Sequence, residues 1–272
     1  MSNGASDIVV AKYSSTGAKQ WGVYFGSSAF ETSNAVVVTS ANELFIVGTT
    51  MSTTVSKGGK DVILAKLLTS TGAVQWIRRY GGEEDDEITS IVANSDSVLM
   101  VGASSSPEIV NAGSNDMLVM RVASSDGALQ WGYAFGGNSI EFGRKAALLS
   151  SSNLLVLGDG KSTGLTSAAS DILLLQVNPS NGAVSKVEYF GGDDNDFAKD
   201  MAISDSVAYV GGETSSFGLS HGFSDIFVMA YDPVDGSLKW CRYYGSNIAD
   251  ESLASLVVSQ VEDRDGVYLV GS

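Results

Sequence analysis

A unit of 54 or 55 residues, present five times, constrains this chain more than any other feature. Each copy opens on an aspartate: Asp7, Asp61, Asp116, Asp171 and Asp225. A turn glycine follows at Gly17, Gly72, Gly127, Gly182 and Gly236. Four residues on stands Trp21, Trp76, Trp131 or Trp240, with Lys186 in the fourth copy. An aromatic residue then precedes Gly26, Gly81, Gly136, Gly191 and Gly245, and five residues past each comes an acid: Glu31, Asp86, Glu141, Asp196 and Asp250. An apolar run ends each copy at Gly48, Gly102, Gly158, Gly211 and Gly271. Fixed periods of this kind mark units that bury their faces against one another. Counting from Asp225 through Ser272 and on from Met1 to Asp7 again gives one period, which predicts a ring sealed across its ends.

Within a copy the pattern reads as four short strands. In the second these fall at 61–68, 74–80, 88–93 and 97–101, separated by Ser70-Thr71-Gly72, the loop 81–87 and Asn94-Ser95-Asp96. Short β-branched runs with turn chemistry every eight to twelve residues point to an all-β fold. Runs such as Ile8-Val9-Val10-Ala11 and Ile172-Leu173-Leu174-Leu175 are apolar on both faces and need cover on both. One sheet per copy, packed between two neighbours, provides it. The expected fold is an all-β, closed five-bladed β-propeller of four-stranded antiparallel blades over residues 1–272, a single domain. Residues near 7–25 and 252–271 are expected to build one blade jointly, leaving no free sheet edge. By analogy with other propellers the Ile88-type strand is innermost, which suits its small residues Ala35, Ser90, Ala146, Ala147, Ala202 and Ala254, and the Trp76-type strand outermost.

The pattern D-x-(apolar)₃, G-x-x-x-W, aromatic-G-G-x-x-x-(D/E) and a closing apolar-G resembles the β-propeller repeat family often called SBBP repeats. The likeness covers the whole chain. It implies a propeller and, commonly, a place in extracellular or cell-surface proteins. The family's T-x-S-x-x-F-P segment is matched only in part, at Gly102-Ala103-Ser104 and at Gly212 to Phe217, so the connections that would meet a ligand are particular to this chain.

Charge narrows the partners. The formal net charge is −15, and the 16 Lys and Arg form no basic stripe. Nucleic acid and a membrane-surface helix both call for a cationic footprint, so neither partner is expected. No apolar run approaches the roughly twenty residues of a membrane span. The first residues, MSNGASDIVV, lack the pattern of a secretory signal. The single cysteine, Cys241, excludes an internal disulfide and is expected to be a buried small hydrophobe.

The connections 51–60, 103–115, 161–170 and 214–224 are long, whereas most other turns are tight. In up-and-down sheets they emerge on the same side as the aromatic-Gly-Gly segments. Variable connections on a rigid scaffold are where binding usually lives. The expected function is therefore non-catalytic: protein binding or scaffolding through the long-loop face. A lectin-like carbohydrate binder, assisted by calcium, is the alternative. Phe142, Phe197, Phe217 and Phe223 depart from the repeat and are candidate ligand contacts, with His221, the single histidine, beside them.

Glu31, Asp86, Glu141, Asp196 and Asp250 could together face a cation, since hard cations want several oxygens. The competing reading is that each carboxylate accepts backbone N–H bonds and locks its own loop. The acidic loops 83–87 and 193–196 read as solvated surface. Gly218-Leu219-Ser220-His221-Gly222 matches G-x-S-x-G, but a nucleophile elbow belongs on a strand–turn–helix in an α/β sheet. Some five-bladed propellers are glycosidases that work with two carboxylates. Asp200 and Lys145 break the repeat as a salt bridge or half of such a site would, and nothing else does. An enzyme is the minor reading.

Overall fold

The computed structural model describes residues 5–52, 58–94, 96–109, 114–162, 169–217, 223–246, 248–261 and 264–272. Among the described residues every element is a strand. The first copy and a half gives β1 (Ile8–Tyr13), β2 (Lys19–Phe25), β3 (Glu31–Val38), β4 (Glu43–Thr50), β5 (Asp61–Leu68) and β6 (Val74–Tyr80). Then come β7 (Asp86–Ala93), β8 (Ser97–Ser104), β9 (Asp116–Ala123) and β10 (Leu129–Phe135). β11 (Glu141–Ser150), β12 (Asn153–Gly160), β13 (Asp171–Val177) and β14 (Val184–Phe190) follow. The chain ends with β15 (Asp196–Ser204), β16 (Val207–Thr214), β17 (Asp225–Asp232), β18 (Ser237–Tyr244), β19 (Leu253–Val261) and β20 (Arg264–Gly271).

These strands form four antiparallel sheets of four, β3–β6, β7–β10, β11–β14 and β15–β18, and two pairs, β1–β2 and β19–β20. Two compact units result, one of Met1–Asn111 and Asn115–Phe135, the other of Ala112–Ser114 and Gly136–Ser272. In the first unit β3 lies against β7, and in the second β11 lies against β15 and β15 against β19. Within each unit, the strands that open neighbouring sheets thus lie against one another.

The second and third strands carry the burial. β8 is buried along its whole length, and β13 likewise. One face of β3–β6 meets one face of β7–β10 in a core of Phe45, Val47, Val62, Leu64, Ile88, Met100, Leu118 and Met120. The corresponding core in the second unit gathers Leu155, Leu157, Ile172, Leu174, Met201, Val210, Phe227, Met229 and Tyr231. A fully buried side chain of this size contributes about 1.5–3 kcal/mol relative to exposure. Two-sided burial is why these strands are apolar without alternation.

The strand before each long connection runs beyond its glycine. β8 pairs Gly102 with Leu118 and continues to Ser104 opposite Asp116. In the fourth copy the position equivalent to Gly102 is Gly212, paired with Phe227, and not Gly211. Each opening strand also holds a bulge that the apolar pattern does not announce, between Ser33 and Ala35, Ile88 and Ser90, Gly143 and Lys145, Ala198 and Asp200, and Leu253 and Ser255. A bulge re-aims one side chain. Asn34, in the first of these, donates to the Ile88 carbonyl of the next sheet at 2.8 Å.

Trp21 and Trp76 each reach the turn glycine of the next sheet, Gly72 and Gly127. Trp21 Nε1 donates to the Thr69 carbonyl at 3.0 Å, and its ring lies against Gly72, whose φ is +74°. A Cβ at Gly72 would stand 2.6 Å from that ring, so the turn glycine serves both dihedral and contact. Lys186 takes the tryptophan's place over Gly236 and pairs with Glu188 at 2.8 Å.

Candidate functional site

The corner between the last strand of one sheet and the first of the next repeats its hydrogen bonds from copy to copy. The acid's own N–H donates to the carbonyl just before the opening aspartate, as Glu31 to Ser6, Asp86 to Lys60, Asp196 to Ser170 and Glu251 to Ser224. Its carboxylate then receives the N–H that follows the aromatic-glycine pair. Ser27 donates to Glu31 at 2.7 Å, Gly82 to Asp86 at 2.8 Å, Gly137 to Glu141 at 2.8 Å and Gly192 to Asp196 at 3.0 Å. Hydroxyls from the long connections complete the set, with Ser106 on Asp86 at 2.8 Å and Ser216 on Asp196 at 2.7 Å. The first residues of two long connections, Ser106 and Ser216, are therefore tied to these corners.

In the fifth copy the corner acid is Glu251, not Asp250. Ser246 donates to Glu251 through both N–H and hydroxyl, while Asp250 is exposed and accepts the Ser224 N–H at 2.8 Å. Asp250 thus matches Asp85, which accepts from the Lys60 N–H in the same way. One extra residue in this loop moved the acid out of register with a spacing rule. The acidic loop 83–87 is also divided: Glu83, Glu84 and Asp85 are exposed, but Asp86 is fully buried.

The opening aspartate converges on the same corner. A Cβ on Gly81 would lie 1.8 Å from Asp61 Oδ1 and 2.8 Å from Asp86 Oδ2. Gly191 stands in that relation to Asp171 and Asp196, and Gly26 to Asp7 and Glu31. Two carboxylates flanking one glycine explain why no side chain is found there. Burial, reinforced by the neighbouring aspartates Asp61 and Asp171, holds the Asp86 and Asp196 carboxyls above the usual range against their hydrogen bonds. For Glu31 burial also pushes upward, but bonds from Ser27 and Thr50 prevail and its pKa is lowered. Among the described residues no three acidic, His or Cys side chains come together as a metal group. Each corner carboxylate is engaged by its own loop.

The irregular aromatics separate. Phe142 on β11 lies under the Arg144 guanidinium at 4.9 Å, and Arg144 grips Asp159 through two bonds of 2.6 and 3.0 Å. Phe197 on β15 is half-buried opposite Glu213. Phe217 and Phe223 are exposed, and the Phe217 ring lies 6.1 Å from Tyr243. His221 and the G-x-S-x-G segment 218–222 fall outside the described residues. Cys241, expected to be buried, is half-buried; it packs against the core of the second unit and lines a pocket with Phe190, Phe217, Phe227 and Tyr243. Burial raises its thiol pKa. Lys145 and Asp200 form an ion pair at 2.8 Å, and Asp200 also accepts from Ser255 and from the Met201 and Leu256 N–H groups.

Solved structures share this arrangement of sheets. BamB from Moraxella catarrhalis, a β-propeller protein, superposes with a TM-score of 0.52 at 14% identity, over 93% of this chain and 67% of its own. The fold is a β-propeller fold. A europium-containing methanol dehydrogenase gives 0.54 at 9% identity over 89% of this chain, and a Trypanosoma rangeli sialidase 0.54 at 9% over 98%. The propeller here spans about half of each of those two chains, 48% and 46%. No protein-family model and no curated protein matches the chain. At such identities the likeness to a dehydrogenase, a sialidase and BamB shows the fold alone and fixes none of their chemistries.

Proposed function

We propose that the chain is a non-catalytic propeller of the SBBP-repeat type that binds a protein partner with the end of its sheets where the long connections lie. The observation that carries this is the anchoring of the start of those connections. Corner acids hold their first residues, Ser106 and Ser216, through hydrogen bonds, so variable connections leave from a fixed frame, and preorganisation lowers the entropic cost of binding. Asp200, the side chain most like a catalytic carboxylate, has its oxygens taken by Lys145, Ser255 and two backbone N–H groups, which speaks for a structural role.

The reading includes a closed five-sheet ring. β20 corresponds to strands such as β8 that are wholly buried, yet Tyr268 is 57% and Val270 62% exposed. β1 corresponds to β5, yet Val9 is 57% exposed. Apolar strands with the composition of buried ones call for mutual cover. Transferring the pairing of Gly48 with Ile63 puts Gly271 opposite Val9 and Leu269 opposite Ala11. With Cys241→Ser as background, Ala11→Cys and Leu269→Cys should form a disulfide within one chain, seen as faster migration without reductant. Crosslinks solely between chains, or none, would reject the ring.

For the binding role, Phe142→Ala with Phe223→Ala should abolish capture of a protein partner while leaving the melting temperature in place. A glycan array read with and without chelator tests the alternative. Saturable, chelator-sensitive sugar binding would replace protein recognition with a calcium-assisted lectin.

A further inference from the structure

The strands β6, β10, β14 and β18 each stand at an edge of their sheet, and β2 stands at the edge of its pair. A sheet edge is a template for pairing with another strand, and charged side chains are the usual guard against it. β2 has Lys19, β6 has Arg78 and Arg79, β14 has Lys186 and Glu188, and β18 has Lys239 and Arg242. β10, with the sequence LQWGYAF, has no charged residue. Its Leu129 and Tyr133 are exposed.

Gly132 stands at the middle of this strand. Its counterpart Gly22 lies under the Lys19 side chain, where a Cβ would meet Cε at 2.8 Å. On β10 Leu129 takes the place of that lysine, and a Cβ on Gly132 would meet nothing nearer than 3.6 Å. Gly132 is also not among the glycines of positive φ, so the fold of one chain does not demand glycine here. A glycine inside a strand often marks the close approach of another backbone.

The strand is complementary to itself. Laid antiparallel to a second β10 about Gly132, it sets Trp131 opposite Tyr133, Leu129 opposite Phe135 and Gln130 opposite Ala134. Trp131 and Tyr133 already stack within one strand, with centroids 5.8 Å apart and planes 24° from parallel. Pairing would extend the stack to four rings, and aromatic cross-strand pairs stabilise a sheet. Charge favours the same register. Each copy carries −15, so two copies meet most easily where no acid faces its own image. Asp126, the acid nearest β10 in sequence, would fall opposite Asn138. At β6 or β18 such pairing would crowd two cations from each copy.

We propose that β10 joins two copies of this chain edge to edge, in antiparallel register about a two-fold axis at Gly132. A two-fold contact uses the same patch on both partners, as this register does. Seven residues a side make a small contact, so the dimer is weak and concentration-dependent. The inference concerns a strand edge and not the end where the long connections lie, and so goes beyond the protein-binding reading.

The test is sedimentation equilibrium of the full chain across a range of concentrations. The parent is expected to show a monomer–dimer equilibrium. Gly132→Lys and Gly132→Glu each set like charges face to face and should weaken association at least about ten-fold. An equal mixture of the two variants should recover dimers, because opposite charges then meet. Leu129→Lys, which gives β10 the lysine that β2 already has, should loosen the dimer about ten-fold as well. The proposal is overturned by a parent that stays monomeric at every concentration, by association that survives Gly132→Lys, or by a mixture that stays monomeric. Should the Gly132 variants fail to fold, unchanged association of Leu129→Lys overturns it equally.

Discussion

Lys145 Nζ lies 2.8 Å from Asp200 Oδ1, so that β11 and β15, the opening strands of adjacent sheets, are joined by charge. Asp200 Oδ2 reaches the third such strand, accepting from Ser255 Oγ at 2.6 Å and Leu256 N at 3.0 Å. One carboxylate ties all three opening strands of this unit.

Burial would raise the pKa of Asp200, but its bonds from Lys145, Ser255 and Leu256 outweigh that and lower it. A lowered folded pKa contributes stability that is present above the unfolded value and is lost as pH falls through the folded one. Asp200→Asn should therefore cost on the order of 1.5–3 kcal/mol at pH 7, the range for hydrogen bonds to charged groups. Urea titrations at pH 7 and at pH 3 should show the gap to the parent narrowing at the lower pH.

Asp86 runs the opposite way. Its carboxyl is held high by burial, with Asp61 adding to it, so the folded chain binds that proton more readily than the unfolded one. This term favours folding at low pH and is lost as pH rises from the unfolded value through the folded value. Asp86→Asn should remove the loss and leave stability at pH 7 equal or greater, because the amide oxygen still accepts from Gly82 and Ser106. Asp86→Ala should cost about 1–3 kcal/mol by orphaning those donors. Thermal melts of both variants from pH 4 to 8 check the contrast.

Two glycines should respond in opposite senses to the same substitution. Gly81 has φ +153° and a Cβ there would meet Asp61 Oδ1 at 1.8 Å. Gly81→Ala should destabilise by about 3 kcal/mol or more, from strain and overpacking together. A Cβ at Gly132 meets nothing nearer than Met120 Cβ at 3.6 Å. Gly132→Ala should be neutral or stabilise by about 0.4–1 kcal/mol through the unfolded chain. Chemical denaturation separates the two.

Trp21→Phe keeps a ring against Gly72 and deletes the bond to the Thr69 carbonyl. Leaving that partner without its donor should cost about 1 kcal/mol. Hydrogen exchange should show the loss at the β5–β6 turn ahead of the rest of the first unit.

Much of the corner was legible in the sequence because it recurs: the opening aspartate, the aromatic-glycine pair and the acid stand at fixed offsets, and repetition separates geometry from accident. The bulges at Asn34 and Thr89 were not legible, since one extra residue in a strand leaves the apolar pattern nearly intact. Glu251 was missed for a related reason. Two adjacent acids satisfy a spacing rule equally well, and only the Ser246 hydrogen bonds tell them apart.

By itself the sequence determined the strand composition, the number of units and the identity of most corner residues, because period and alternation follow directly from the short-range geometry of a strand. Tertiary structure decided which of those residues meet. It placed Cys241 half-buried against the core of the second unit and put Phe217 beside Tyr243. Those relations join residues more than twenty positions apart, and the folded packing of one sheet on the next sets their distances.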